Sequence, residues 1–267
     1  MIRPPAVAGR FYPSDPRELS RQVDAYTNDG AEKTSAIGCV VPHAGYMYSG
    51  HVAGAVYRVL QLPRRILLLG PRHFPRGEAL AILSEGAWNT PLGDAKIDAE
   101  LAAELARAFP RLREDEVAHS VEHSLEVQIP FLQRLAGSFS FVPIVLGIDR
   151  YPMLEELGRA VAHVVAAQKE PVLLVASSDM NHYESDEITR IKDRQAIDQI
   201  LALDPRGLYD TVRAKAISMC GYAPTVVMLT AARALGATSA ELVRYATSGD
   251  ITGDRDEVVG YAGLIIR

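Results

Sequence analysis

Short apolar runs alternate with stretches of helical periodicity along this 267-residue chain, and that alternation constrains its fold more than any other feature. Strands are predicted over 36–42, 65–70, 79–83, 139–147, 171–177, 241–247 and 258–266. Helices are predicted over 15–28, 50–60, 98–109, 121–135, 152–168, 184–202 and 222–235. Asp98 opens DAELAAELARAF, where Leu101, Leu105 and Phe109 recur at helical spacing behind an acidic first turn. Pro152 suits the first turn of the helix carrying Leu154, Leu157 and Val161. Such alternation predicts an α/β sandwich, with a largely parallel or mixed central sheet and helices on both faces. Glycine and proline cluster at 4–13, 70–77, 86–93 and 247–254, which read as loops. None is long enough to be a linker, so 1–267 is read as one domain.

Three of the strand-like runs end in chemistry. AIGCVV (36–41) runs into Pro42-His43-Ala44-Gly45-Tyr46, ILLL (66–69) into Gly70-Pro71-Arg72-His73, and VLLVA (172–176) into Ser177-Ser178-Asp179 with His182 beyond. In open α/β sheets the carboxyl ends of the strands line the ligand crevice. His43, beside the phenols Tyr46 and Tyr48, reads as a metal ligand or general base, with Ser49 as cap of the helix predicted from Gly50. His73 follows the same logic, since neutral imidazole binds zinc, copper and iron.

Cys220 is the leading third ligand. It stands at the predicted start of an apolar helix, whose N-terminus should lower the thiol's pKa. Two imidazoles and a thiolate leave one open position on a tetrahedral metal. Cys39, inside a strand, reads as core. Asp179 and His182 form an Asp-x-x-His pair able to orient a ligand or relay protons. His119 and His123 are four apart, but Glu122 stands directly before the second histidine, so the His-Glu-x-x-His zinc motif is not matched. Ser120 reads as an N-cap, leaving His119 at the surface and His123 lining a pocket. His51 and His163 read as structural or solvated.

Several classes are excluded or disfavoured. The loop 248–257 has calcium-loop flavour, yet Arg255 and Tyr261 stand where an EF-hand needs Gly and Glu. No phosphate-loop or dinucleotide fingerprint occurs, and Ser178 lacks the Gly-x-Ser-x-Gly context of a serine hydrolase. A net charge of −5 argues against a broad nucleic-acid footprint. No uncharged apolar run approaches the ~18 residues that span a bilayer, and the first fifteen residues lack a signal-peptide core. Two cysteines argue against a disulfide framework and for a reducing compartment, so a cytoplasmic location is expected, with no nucleic-acid or membrane partner.

The segments RPPAVAGRFYP, PHAGYMYSG, LLLGPRH, EHSLEVQIPFLQ, SSDMNHY, MCGYAP and SGDITGDRDEVVGYAG, in this order over nearly the full chain, resemble the Memo family. In prokaryotes this is the B protein of the AmmeMemoRadiSam set. The resemblance implies a fold similar to the class III extradiol dioxygenases, which hold non-haem Fe(II) with two histidines and a glutamate. It implies that His43, His73 and Cys220 are the metal ligands, with Asp179 and His182 nearby and His123 lining the pocket. Copper or iron is the metal it suggests, one ion per chain, with zinc the alternative. A thiolate in place of the dioxygenase carboxylate shifts preference toward Cu(I) or zinc, so ring cleavage is not inherited with the fold. Eukaryotic relatives are linked to redox signalling and to phosphotyrosine peptides, for which Arg72 and Arg76 would suit the anion.

The expected function is therefore a metal-dependent oxidoreductase, with His182 or His123 moving protons, Asp179 orienting, and Tyr46, Tyr48 and Arg72 in the substrate pocket. The competing readings are a non-catalytic module that binds a peptide or partner proteins of the AmmeMemoRadiSam set, and a metal-dependent hydrolase.

Overall fold

Alternation within the apolar runs decides how the sheet is buried. In the computed structural model, which describes every residue except Asp29 and Ala31, Val40, Leu67, Leu69, Val142, Ile144, Leu174 and Ala176 face one core. Their neighbours Cys39, Val41, Ile66, Leu68, Phe141, Val145, Leu173 and Val175 face the other. Side chains of a strand point alternately to opposite faces, so a strand apolar at every position needs cover on both.

The strands are β1 (Ile2–Arg3), β2 (Gly38–Val41), β3 (Arg65–Pro71), β4 (Leu80–Ile82), β5 (Ala87–Thr90), β6 (Gly93–Ile97), β7 (Arg113–Glu114), β8 (Ser140–Leu146), β9 (Val172–Ser177), β10 (His182–Glu184), β11 (Ala240–Thr247) and β12 (Val258–Ile266). They form a mixed sheet ordered β1-β5-β6-β8-β3-β9-β2-β12-β10, with β11 beside β12 and β4 joining β8 to β7. At its centre β8, β3, β9 and β2 run parallel, and β12 runs antiparallel to β2.

Helices α1 (Pro16–Thr27), α2 (Tyr46–Val59) and α5 (Ile129–Leu135) cover one face. Helices α3 (Ala99–Ala108), α6 (Tyr151–Ala166), α7 (Asp186–Leu201), α8 (Pro205–Ala214) and α9 (Tyr222–Ala234) cover the other. Two short helices, α4 (Glu116–His119) and α10 (Gly249–Thr252), lie in connections. The α/β sandwich with a mixed sheet is thus observed. Among the described residues no helix is long and apolar enough to cross a membrane.

Several local readings are corrected. Helix α2 starts at Tyr46 rather than Gly50, because Tyr46 N–H donates to Phe11 O at 2.7 Å. Ser49 is therefore inside the helix, and its hydroxyl donates to Ala44 O. The helix predicted over 121–135 is instead a non-helical stretch, a 3₁₀ turn (Glu126–Gln128) and α5, with α4 lying before it. Ser120 closes α4 instead of opening a helix. Segment 86–93, read as a loop, holds most of the β5–β6 hairpin, and α8, capped by Asp204, was not predicted.

Candidate metal centre

The sheet order brings three chemical strand ends together. β9 lies between β3 and β2, so the residues after these strands (His73, Asp179 and His43) emerge side by side at the carboxyl edge. The stretch 120–125 crosses above them and delivers Glu122 and His123. Cys220 arrives on the turn before α9. That turn seats tightly because residue 221 is glycine: a Cβ there would lie 2.3 Å from Ser177 O.

The imidazoles of His43, His73 and His123 converge, each offering a nitrogen within 4.8 Å of the other two. His73 and His123 stack with ring centroids 4.5 Å apart, and His43 meets both edge-on. Cys220 Sγ lies 3.2 Å from His43 Nε2, and Asp179 Oδ2 lies 3.9 Å from the same nitrogen. The compact three-nitrogen cluster thus includes His123, which the resemblance places in the pocket wall. Cys220 flanks the cluster on the His43 side.

Hydrogen bonds fix the tautomers. Ser177 Oγ donates its one proton to Ser124 O at 2.6 Å and accepts from Gln128 Nε2 at 2.9 Å. It can therefore only accept from His43 Nδ1, 3.0 Å away. His73 Nδ1 lies 2.9 Å from the Glu122 carboxylate, which has no proton to give when ionised. Both imidazoles carry hydrogen on Nδ1, so each Nε2 presents a bare lone pair. Two such nitrogens beside a sulfur and a carboxylate are the donor set of a soft or borderline transition ion, so the residues fit the metal that the resemblance implies.

The electrostatics agree with a site built for a cation. Burial holds His43 well below the usual imidazole range, helped by repulsion from His73 and His123. Burial also lowers His123, against the pull of Glu122. Burial raises Asp179 above the usual carboxylate range, although its Oδ1 accepts His43 N–H at 2.7 Å. The Cys220 thiol is pushed well up, by burial first and by Asp179 second. This corrects the expectation of a thiol lowered by a helix N-terminus. Glu122 is the exception: burial alone would raise it, but the N–H groups of His73 and Ser124 hold it well below its ordinary value.

The remaining predicted residues divide. His182 Nδ1 donates to Ser218 O at 3.0 Å, leaving Nε2 free at a half-buried position whose charge is felt by Asp179 and His43. Tyr48 is half-buried and packs near Val52, Ala246 and Tyr261. Tyr46 does not line the cleft: it is buried against Tyr12 and Phe131, its hydroxyl donating to Val127 O. The Arg72 guanidinium is committed to the carbonyls of Arg76 and Gly77, bracing the turn after His73. His119, read as surface, is fully buried against Trp88, and burial takes it down to about 3. Both cysteines are free, with Cys39 in the core.

Sequence reasoning missed Glu122, Ser177, Gln128, Asn181 and Ser218. Glu122 was seen only as a misplaced member of a zinc motif. The signal available was its position next to His123 in a segment that must pass over the strand ends.

The Memo-like protein family profile matches residues 3–265. The chain belongs to the Memo family. A MEMO1 family protein of Methanopyrus kandleri is 42% identical over 283 residues, covering 100% of this chain and 99% of that protein. One of Methanothermobacter thermautotrophicus is 40% identical, covering 99% and 100%, and one of Aquifex aeolicus is 42% identical, covering 99% and 98%. An uncharacterized protein of Escherichia coli K12, known from a crystal structure, superposes with a TM-score of 0.60 over 85% of this chain and 98% of its own, at 14% identity. That likeness concerns the fold alone. In this Memo-family chain the quoted motifs RPPAVAGRFYP, PHAGYMYSG and EHSLEVQIPFLQ all feed one cluster: Phe11 from the first packs on His123, 4.8 Å between centroids.

Proposed function

We propose that this Memo-family protein is a metal-dependent oxidoreductase acting on a small molecule at the carboxyl edge of the sheet. His43, His73 and Cys220 would hold one transition ion, copper or iron with zinc as the alternative, and His123 is the further donor in reach. The bound ion would supply Lewis-acid or one-electron chemistry at that point. His182 holds a proton acceptor at Nε2, oriented by Ser218 O. Asp179 fixes the backbone of His43 through Oδ1 and keeps its second oxygen toward the cluster. The apolar ring of Phe11 covers His123 and limits water there.

One observation carries this reading: two histidines on neighbouring strand ends are locked in the tautomer that turns bare Nε2 lone pairs to a common point, with a thiol 3.2 Å from one of them. The test is anaerobic metal analysis of wild type against His43→Ala, His73→Ala, His123→Ala and Cys220→Ser. Wild type should carry about one ion per chain, and the first two variants and Cys220→Ser should lose it. Unchanged metal content in all four variants would sink the assignment.

A partner-binding reading has one observation in its favour. Met47, Phe74 and Tyr183 are large, exposed and adjacent to site residues. Under that reading Cys220→Ser would abolish metal binding and leave partner capture intact.

A further inference from the structure

The two histidines at the strand ends are supported unequally. His43 Nδ1–H meets a neutral serine hydroxyl at 3.0 Å. His73 is gripped twice by one carboxylate: its backbone N–H donates to Glu122 Oε2 at 2.7 Å and its Nδ1–H to Oε1 at 2.9 Å. Oε1 also accepts Ser124 N–H at 2.8 Å and lies 3.6 Å from His123 Nδ1. Glu122 itself is wholly buried, at 0% exposure.

Among the described residues its charge has no permanent counter-ion. The nearby Arg3 guanidinium is spent on the carbonyls of His119 and Glu122 and on the Glu126 carboxylate. Glu126 is in turn saturated by Tyr12 and the N–H groups of Ala6 and Val7. Among the described residues, the side chains bonded or ion-paired to the Glu122 carboxylate are the imidazoles of His73 and His123. Burying a carboxylate beside neutral groups is unfavourable unless a positive charge comes to it. The one place beside it shaped for a cation is the cluster that His73 joins.

We infer that Glu122 is the positioning residue of this centre: it locks the His73 tautomer, raises the basicity of Nε2, and makes His73 a stronger donor than His43. The inference rests on the metal reading above. It extends that reading by naming the residue that sets affinity. Hydrogen bonding of a ligating imidazole to a carboxylate affects metal affinity by about 10–100-fold, whereas a neutral hydroxyl does less because it carries no charge. Arg3 contributes rigidity, since its bonds to His119 O at 2.7 Å and Glu122 O at 2.8 Å clamp the segment from behind.

Glu122→Gln is the informative change. An amide can offer only one oxygen, so its NH₂ must face either the His73 backbone N–H, where Oε2 stands, or both His73 Nδ1–H and Ser124 N–H, where Oε1 stands. In either orientation one backbone N–H is left facing the NH₂ and the carboxylate charge is gone, so the double grip on His73 is lost and its Nδ1–H form is no longer enforced. The experiment uses the full chain, stripped of metal, in two measurements. Imidazole ¹⁵N NMR reads the His73 tautomer, and anaerobic titration with Co(II) reads affinity, for wild type, Glu122→Gln, Glu122→Asp and Ser177→Ala.

In wild type His73 should carry hydrogen on Nδ1. In Glu122→Gln both tautomers are allowed, and Co(II) affinity should fall by about 10–100-fold. Glu122→Asp should recover part of the loss, and Ser177→Ala should lose less. A wild type with its hydrogen on His73 Nε2 would overturn the inference, as would an unchanged Co(II) affinity in a folded Glu122→Gln protein or equal losses from Glu122→Gln and Ser177→Ala. Failure of the metal reading looks different: wild type would take up no Co(II), while the tautomer measurement would still decide the role of Glu122.

Discussion

Asp193 offers a quantitative check on how this fold places charge behind the site. It sits on α7, fully buried, with Oδ1 accepting Asn181 N–H at 2.8 Å and Oδ2 accepting the Tyr245 hydroxyl at 2.7 Å. Burial raises its carboxyl to about 7, against the Tyr245 and Asn181 bonds and the attraction of Arg190, with Glu184 adding repulsion. Against the 3.8 of an ordinary aspartate, and at about 1.4 kcal/mol for each tenfold change in proton affinity, keeping the acid ionised costs about 4 kcal/mol. The sign is opposite to that of a salt-bridged acid. Between the unfolded value and about 7 the native state binds the extra proton, so stability falls as pH rises through this window and levels off above it. Asp193→Asn keeps the shape and can still accept Asn181 N–H, while its NH₂ donates to Tyr245. Near pH 8.5 the variant should exceed wild type by about 2–4 kcal/mol, a Tm gap on the order of 5–10 °C. Near pH 5 the gap should shrink to about 1–2 kcal/mol, because the native acid is then neutral and only its unfolded form, with its ordinary value of 3.8, is ionised. Calorimetry of the two proteins at both pH values decides it. A gap that is the same at both would refute the reasoning.

Three further outcomes follow from particular contacts. Tyr183, the bulged residue between His182 and Glu184 in β10, has φ 59° and is 73% exposed; Tyr183→Gly should therefore hold or raise stability by up to about 1 kcal/mol in thermal unfolding, and a clear loss would contradict the strain argument. Gly260 faces Asp193 so closely that a Cβ would lie 1.8 Å from its Oδ2; Gly260→Ala should cost more than about 2 kcal/mol by urea titration, with Asp193→Asn failing to rescue it. Arg3→Ala removes the ion-pair partner of the buried Glu126 carboxylate and the guanidinium 4.1 Å above the Trp88 ring; a loss of about 3–5 kcal/mol by urea titration is expected, and a near-neutral result would mean that Tyr12 and the N–H groups of Ala6 and Val7 suffice for Glu126.

The sandwich was legible because its signals are local. Strand β12 at 258–266 and helix α9 at 222–234 fall almost where periodicity puts them, since an apolar run bounded by turn residues has few other ways to be buried. His43, His73 and Asp179 were legible for a related reason: each follows directly on such a run, and a strand's end is where its chemistry emerges. The tautomers and the partner of each histidine were not legible. They depend on Ser177 meeting Ser124 and Gln128, and on Glu122 meeting His73, pairs roughly fifty residues apart in sequence.

The failure over 119–128 has a single physical cause. Pattern reading treats a polar residue as one that faces water, and on that rule an apolar–polar alternation there becomes an amphipathic helix with His119 outside. In the folded chain His119, Glu122, Ser124, Glu126 and Gln128 are all at 0% exposure. Each of the last four is hydrogen-bonded to partners on other elements: Glu126 to the N-terminal segment, Gln128 to Tyr57 and Pro42, Ser124 to Pro71, Glu122 to His73. A segment whose polar groups are satisfied by distant partners has no need of helical hydrogen bonds to its own backbone at every step, and its hydrophobic period no longer reports a surface. Such a density of buried, cross-linked polar groups is costly for a fold to maintain unless position matters more than stability. Here it lies directly over the histidine cluster, which is where position matters most.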